Sequence, residues 1–120
     1  MNAASFDFTA ARFKHLNWKF RLRAFLDGKE TITMEQAVSH RDCDLGKWLY
    51  ETGIEKYKKY NEMHELEKIH ESLHSLIKKI VDLKRKDEND QAEEEFKKVE
   101  GISKNIIGLL DIIEKKSISN

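Results

Sequence analysis

Apolar side chains recur every three or four residues along most of the chain, and charged residues fill the positions between them. This spacing places the apolar side chains on one face of an α-helix, as expected for an amphipathic helix that packs on a core. Three long stretches follow it, at approximately 5–27, 63–86 and 91–116. The predicted core positions are Phe8, Ala11, His15, Trp18, Leu22 and Leu26 in the first stretch, Leu66, Ile69, His70, Leu73, His74, Ile77, Ile80 and Val81 in the second, and Ala92, Phe96, Val99, Ile102, Ile106, Leu109, Leu110 and Ile113 in the third.

The ends of these helices carry recognisable signals. Ser5 or Thr9 is predicted to cap the first helix, and Gly28 to end it. A polar linker over 87–90 separates the two later helices, and residues 116–120 are expected to fray.

The segment over 28–61 is less regular. Thr33 is predicted to start a short helical turn over 34–38, and Asp44 to cap a second short helix over 45–51 that Gly53 ends. Short connections between successive helices favour antiparallel neighbours. We therefore predict an all-α fold, an antiparallel four-helix bundle with an irregular second segment containing short helices, as a single domain over 1–120.

Composition narrows the function. The 120 residues contain no proline, and 39% are hydrophobic. With 22 basic and 22 acidic residues the net charge is zero, so nothing indicates binding to nucleic acid or to anionic lipid. No run approaches the roughly 18 apolar residues of a membrane span, the N-terminus lacks the pattern of a secretory signal, and a single cysteine forms no internal disulfide. We expect a cytoplasmic protein with no membrane insertion.

Three histidines and the single cysteine are the candidate chemistry. His15, His70 and His74 lie on apolar faces, where an imidazole needs a partner. Counting 1.5 Å per helical residue puts all three about 15 Å from the same end of the bundle, and the connection after the first helix is long enough for Cys43 to reach that level. Three imidazoles and one thiolate would complete a tetrahedral zinc shell.

Alternatives exist for each residue. A single inward-facing histidine is more often a hydrogen-bonded core residue than a metal ligand. His64 is excluded because it faces away from His70 on the helix. His40 either competes for the metal through His40-x-x-Cys43 or donates a hydrogen bond near the thiolate, and it is expected around the ligands together with Trp18 and Trp48.

These motifs resemble the chemoreceptor zinc-binding (CZB) family. They are His15-x-x-Trp18-Lys19, His40-x-x-Cys43-x-Leu45-Gly46-Lys47-Trp48-Leu49-Tyr50 and His70-x-x-x-His74. The resemblance implies a four-helix bundle that holds zinc through His15, Cys43, His70 and His74. It also implies a homodimeric cytoplasmic module of bacterial chemoreceptors or diguanylate cyclases that senses zinc or oxidants such as hypochlorous acid. Because no methyl-accepting hairpin, HAMP-like segment or cyclase domain is recognisable, we expect an excised domain or a free-standing member.

A zinc ion closed by four protein ligands has no position for water, so we do not expect an enzyme. The predicted function is a zinc-binding sensor or regulatory domain in which the Cys43 thiolate responds to oxidant or to zinc. Two alternatives remain open: a metal-free helical interaction or dimerisation domain, and a hemerythrin-like di-iron protein, which would need more inward histidines and paired carboxylates. A cysteine-nucleophile enzyme is disfavoured because no orienting acid accompanies Cys43 and His40.

Overall fold

The computed structural model describes residues 3–33, 35, 37 and 43–119, and over these residues the fold is all-α without strands. We number the α-helices in chain order. Their bounds are α1 Ala3–Leu26, α2 Asp44–Trp48, α3 Ile54–Tyr57, α4 Asn61–Arg85 and α5 Asn89–Ser119, with a π-helical turn Leu49–Gly53 joining α2 to α3.

The long helices run antiparallel where they are neighbours. α5 packs against both α1 and α4. Along the first interface Arg12 pairs with Asp111 and Arg23 with Glu93, so α5 descends as α1 ascends. α4 runs parallel to α1, because Lys84 near its end donates to the carbonyl of Leu26. The predicted four-helix bundle is therefore confirmed, with the segment α2 to α3 as its short, irregular second member.

The periodicity located the core correctly. Nearly all the predicted core positions of the three long helices are buried, and the two exceptions, Ile69 and Ile102, are half-buried and packed against the core. Burial of these stripes against one another supplies the main driving force for the fold.

Left-handed residues end α1 and α4. Gly28 has φ of 81°, and Lys29 donates to the carbonyl of Ala24 over 2.8 Å, so the predicted glycine stop is confirmed. α4 ends in the same hydrogen-bond pattern with a non-glycine residue, Asp87, at φ of 60°.

The prediction of the start of α1 is wrong. The helix already includes Ala3, so Ser5 and Thr9 lie inside it and neither is the cap. Tertiary contacts stabilise this first part of the helix. Phe8 is fully buried, with its ring 4.8 Å from that of Tyr57, and the Tyr57 hydroxyl donates to Asp7.

The predicted stop at Gly53 is also wrong, because the helical segment that begins at Asp44 runs through Gly53 to Tyr57. Gly53 has an ordinary helical φ of −62°. A β-carbon at Gly53 would lie 2.9 Å from the Trp48 ring, so glycine is needed there for close packing of the indole.

Two further expectations concern short or terminal elements. Glu35 and Ala37 are helical, and Ala37 N–H donates to the Thr33 carbonyl, as the predicted turn requires; Met34, Gln36 and Val38 lie outside the described residues. α5 continues to Ser119, into the segment expected to fray.

Candidate metal centre

Cys43 stands immediately before α2 and caps it. Its Sγ accepts a hydrogen bond from Gly46 N–H over 3.3 Å, so the cap is Cys43, and Asp44, predicted to be the cap, is the first helical residue. The sulfur satisfies the amide that an aspartate or serine side chain satisfies in other helices. A backbone N–H aimed at the sulfur also favours the thiolate, the form of cysteine that binds metals.

His70 and His74 lie on consecutive turns of α4, on the face that packs into the bundle. Both rings are buried, their centroids are 4.9 Å apart and their planes are nearly perpendicular. His70 Nε2 lies 3.3 Å from Cys43 Sγ. The spacing of one helical turn thus presents two imidazoles to the residue that begins α2.

Cys43, His70 and His74 form a compact cluster of metal-binding atoms. One sulfur and two ring nitrogens all lie within 4.8 Å of one another, and all three residues are buried. Two ligand atoms on one tetrahedral zinc ion are roughly 3.5 Å apart, given Zn–S and Zn–N bonds of about 2.3 and 2.0 Å. The donor set and the Cys43 to His70 separation therefore fit zinc.

The cluster does not fit the di-iron alternative. Among the described residues it is the one group of three or more histidine, cysteine or acidic side chains whose ligand atoms converge, and it contains no carboxylate. Di-iron sites in helical bundles use several carboxylates from the facing helices.

The tautomer of His74 follows from a backbone contact. His74 Nδ1 lies 2.8 Å from the carbonyl oxygen of Ala37. A carbonyl only accepts, so Nδ1 carries the hydrogen, and in a neutral ring Nε2 keeps its lone pair for a metal. The connection between α1 and α2 thus orients a ligand on α4.

His15 is buried in α1 but is not one of the three clustered residues. Its Nε2 lies 2.8 Å from Ser103 Oγ on α5, and its buried Nδ1 has no hydrogen-bond partner among the described residues. Burial lowers the pKa of His15 to about 4, and the charge of Lys19 adds to this effect. His15 is therefore neutral near pH 7, as a metal-binding imidazole must be.

The two tryptophans have different surroundings. Trp18 meets His74 edge-on, with ring centroids 5.4 Å apart, and the Arg21 guanidinium lies 5.1 Å from the Trp18 ring, so Trp18 covers one side of a candidate ligand. Trp48 packs against Phe8 and over Gly53.

Of the other two histidines, the structure describes one. His64 is exposed and donates from Nε2 to the Lys58 carbonyl, as expected for a residue that faces away from His70. His40 lies outside the described residues.

Sequence reasoning missed two groups that hold the candidate ligands. Ser103 had a detectable signal, because it is a hydroxyl on the buried stripe between Val99 and Ile106. The Ala37 carbonyl had none, since every residue carries the same group and only the tertiary fold selects one.

Comparison with known proteins supports the same assignment. Residues 15–81, more than half of the chain, match the family model of the chemoreceptor zinc-binding domain. The matched range begins at His15 and includes the whole Cys43, His70 and His74 cluster. No curated protein and no solved structure matches the chain. None of the described helices has the length and apolar character needed to cross a membrane. The chain belongs to the chemoreceptor zinc-binding (CZB) family, a family of zinc-binding sensor domains and not a catalytic one.

Proposed function

We propose that this chain is a cytoplasmic zinc-binding sensor or regulatory domain of bacterial signal transduction, with its output to a chemoreceptor or a diguanylate cyclase. The buried cluster of Cys43, His70 and His74, in a chain that belongs to the CZB family, is the observation that carries the proposal.

The proposed ligands are His15, Cys43, His70 and His74. His15 is included because it is buried in α1 one turn before Trp18, whose ring contacts His74. Bound zinc would hold Cys43 as a thiolate and stabilise the contact between α2 and α4. With four protein ligands the site has no position for a reacting water, which is why we propose sensing and not catalysis.

Cys43 is the proposed point of response. A hypohalous acid would transfer its oxygen to the thiolate, so that Cys–S⁻ and HOCl give Cys–SOH and Cl⁻. A sulfenic acid is a poorer metal ligand than a thiolate, and its sulfur no longer accepts from Gly46 N–H in the same way. One reaction would therefore weaken both the metal site and the start of α2.

Metal analysis tests the proposal directly. Protein purified without a metal-affinity column should contain one zinc per chain by elemental mass spectrometry. Cys43→Ser, His70→Ala and His74→Ala should each lose most of it because each removes a ligand. His64→Ala, on the exposed face of α4, is the matched control and should keep it. Two irons per chain, or no metal in the wild type after zinc has been supplied, would contradict the proposal.

We further propose that two copies associate through the outer face of α1. Phe13 and Phe20 are 68% and 65% exposed, and Leu16 lies between them on the same face at i+3. Apolar residues at i, i+3 and i+7 form the seam of a helix pair, and a two-fold axis brings this face against itself.

Sedimentation velocity tests the association. The wild type should sediment as a dimer and the double variant Phe13→Ser/Phe20→Ser as a monomer. Ile118→Ser, which removes another exposed apolar residue, is the control and should remain dimeric. A wild type that is monomeric at high concentration would exclude this interface.

A further inference from the structure

Ser103 is a buried hydroxyl that the proposed sensing function does not yet use. It lies on α5, beyond the residues matched to the family, and is 4% exposed. A buried hydroxyl is costly unless it is hydrogen-bonded, and the Ser103 contact is with His15 Nε2 at 2.8 Å.

The contact bears on which nitrogen of His15 carries hydrogen. Ser103 Oγ can either donate to Nε2 or accept from it. If it donated, the hydrogen of the neutral ring would sit on Nδ1, which is buried and has no acceptor among the described residues. If it accepts, Nδ1 presents a lone pair, the form that a metal takes up.

His74 provides a parallel within the same molecule. Its Nδ1–H donates to the Ala37 carbonyl, so Nε2 is the nitrogen that can bind a metal. In both histidines one nitrogen is engaged by a group that is not itself a candidate ligand. Such outer partners fix the tautomer and the orientation of a metal-binding imidazole.

We infer that Ser103 is a positioning residue for the metal site: its Oγ accepts from His15 Nε2–H and leaves Nδ1 as the atom with which His15 binds zinc. The inference rests on the proposed function, because it requires His15 to be a ligand. It assigns α5, which has no histidine or cysteine, a defined part in zinc binding.

Nitrogen-15 NMR of the imidazoles and zinc titration test this inference together. Long-range proton to nitrogen correlations should show His15 as the Nε2–H tautomer in zinc-free protein, with Nδ1 shifting on addition of zinc. Ser103→Ala should lose the fixed tautomer and bind zinc on the order of 10-fold more weakly, the usual effect of removing an outer partner. Ser103→Thr, which keeps the hydroxyl, should restore the tautomer and most of the affinity. Ser72→Ala, at an exposed serine of α4, should behave as wild type.

The outcomes separate this inference from the proposed function. Zinc bound to His15 Nε2 would overturn the inference. Unchanged zinc affinity in Ser103→Ala would overturn it as well. Tighter zinc binding in that variant would also overturn it, because Ser103 would then be holding His15 away from the metal. In those cases the zinc sensor proposal stands if His15→Ala still loses zinc. If His15→Ala keeps full affinity, the four-ligand set and this inference are both wrong. Should Ser103→Ala not fold, the wild-type tautomer and the threonine variant still decide the matter.

Discussion

Single residues set the ends of the helices at one end of the bundle. Gly28 closes α1 in a left-handed conformation, and its absent side chain would meet no atom within 4 Å. Its role is therefore conformational and not one of packing. Gly101, inside α5, also has open space around it but no positive φ.

Substitution of the two glycines by alanine should change the free energy of unfolding in opposite directions. Gly28→Ala should lower the free energy of unfolding by about 1–2 kcal/mol, the cost of a left-handed non-glycine residue. Gly101→Ala should raise it by about 1 kcal/mol, since alanine is the better helix former. Urea denaturation of zinc-free protein measures both, and equal effects would show that the φ of Gly28 is not what matters.

His15 makes the zinc-free fold sensitive to acid. Its pKa is about 4 in the folded chain and about 6.5 when unfolded, so between these values the unfolded chain takes up a proton that the folded chain does not. The contribution of His15 to the free energy of unfolding should be complete above pH 6.5 and should be lost as the pH drops toward 4. The expected loss from this group is on the order of 3 kcal/mol. Denaturant midpoints measured across this range, with His15→Gln as the control, check it. A variant with the same pH slope as the wild type would show that other groups dominate.

At the level of elements, the segment α2 to α3 is continuous because Gly53 admits the Trp48 ring. Gly53→Ala would bring its β-carbon within 2.9–3.2 Å of three ring atoms, so the indole must shift away from its place against Phe8. We expect a net loss of about 1–2 kcal/mol, with overpacking outweighing the gain in helix propensity. Thermal melts and Trp48 fluorescence measure this; an unshifted emission with raised stability would contradict it.

The same segment should respond first to loss of the metal. Its polar contacts with α4 near the site are those of Cys43 with His70 and of Tyr50 with Glu67, whereas α4 and α5 share a long apolar interface. Removing zinc or oxidising Cys43 should speed amide hydrogen exchange over 43–57 and leave α4 and α5 protected. Cys43→Ser should exchange quickly there with or without zinc. Equal protection in loaded and oxidised protein would exclude this response.

Some features of these helices could be predicted from the sequence and others could not. The stripes of α1, α4 and α5 were predictable because each long helix buries one face, and burial imposes the period directly. The start of α1 and the passage through Gly53 were not, since Phe8, Tyr57 and Trp48 stabilise them through contacts between segments distant in sequence. The motif located Cys43, His70 and His74. The Ala37 carbonyl required the fold, and Ser103 was detectable only as a hydroxyl on a buried stripe, its contact with His15 being set by the fold.

For the whole molecule, the bundle is elongated, about 50 Å long and 23 Å wide, and its apolar core extends well beyond the metal cluster. Zinc should therefore add stability without being required for folding, unlike small zinc domains that unfold without metal. Adding a chelator should lower the Tm while the far-UV circular dichroism at 25 °C stays helical. Loss of the helical signal at that temperature would show that the metal nucleates the fold.

The segment α2 to α3 runs from the metal cluster toward the first turns of α1, so the two ends of the bundle differ in how they are connected to the cluster. Trp48 and Tyr57 both contact Phe8, and Tyr57 also holds Asp7, so displacement of this segment bears on the beginning of α1. The opposite end, closed by Gly28 and Asp87, is joined to the segment by no described contact of this kind. Oxidation of Cys43 would then displace a receiving domain attached at the Phe8 end of the bundle. A receiving domain attached at the Gly28 end would be displaced almost not at all.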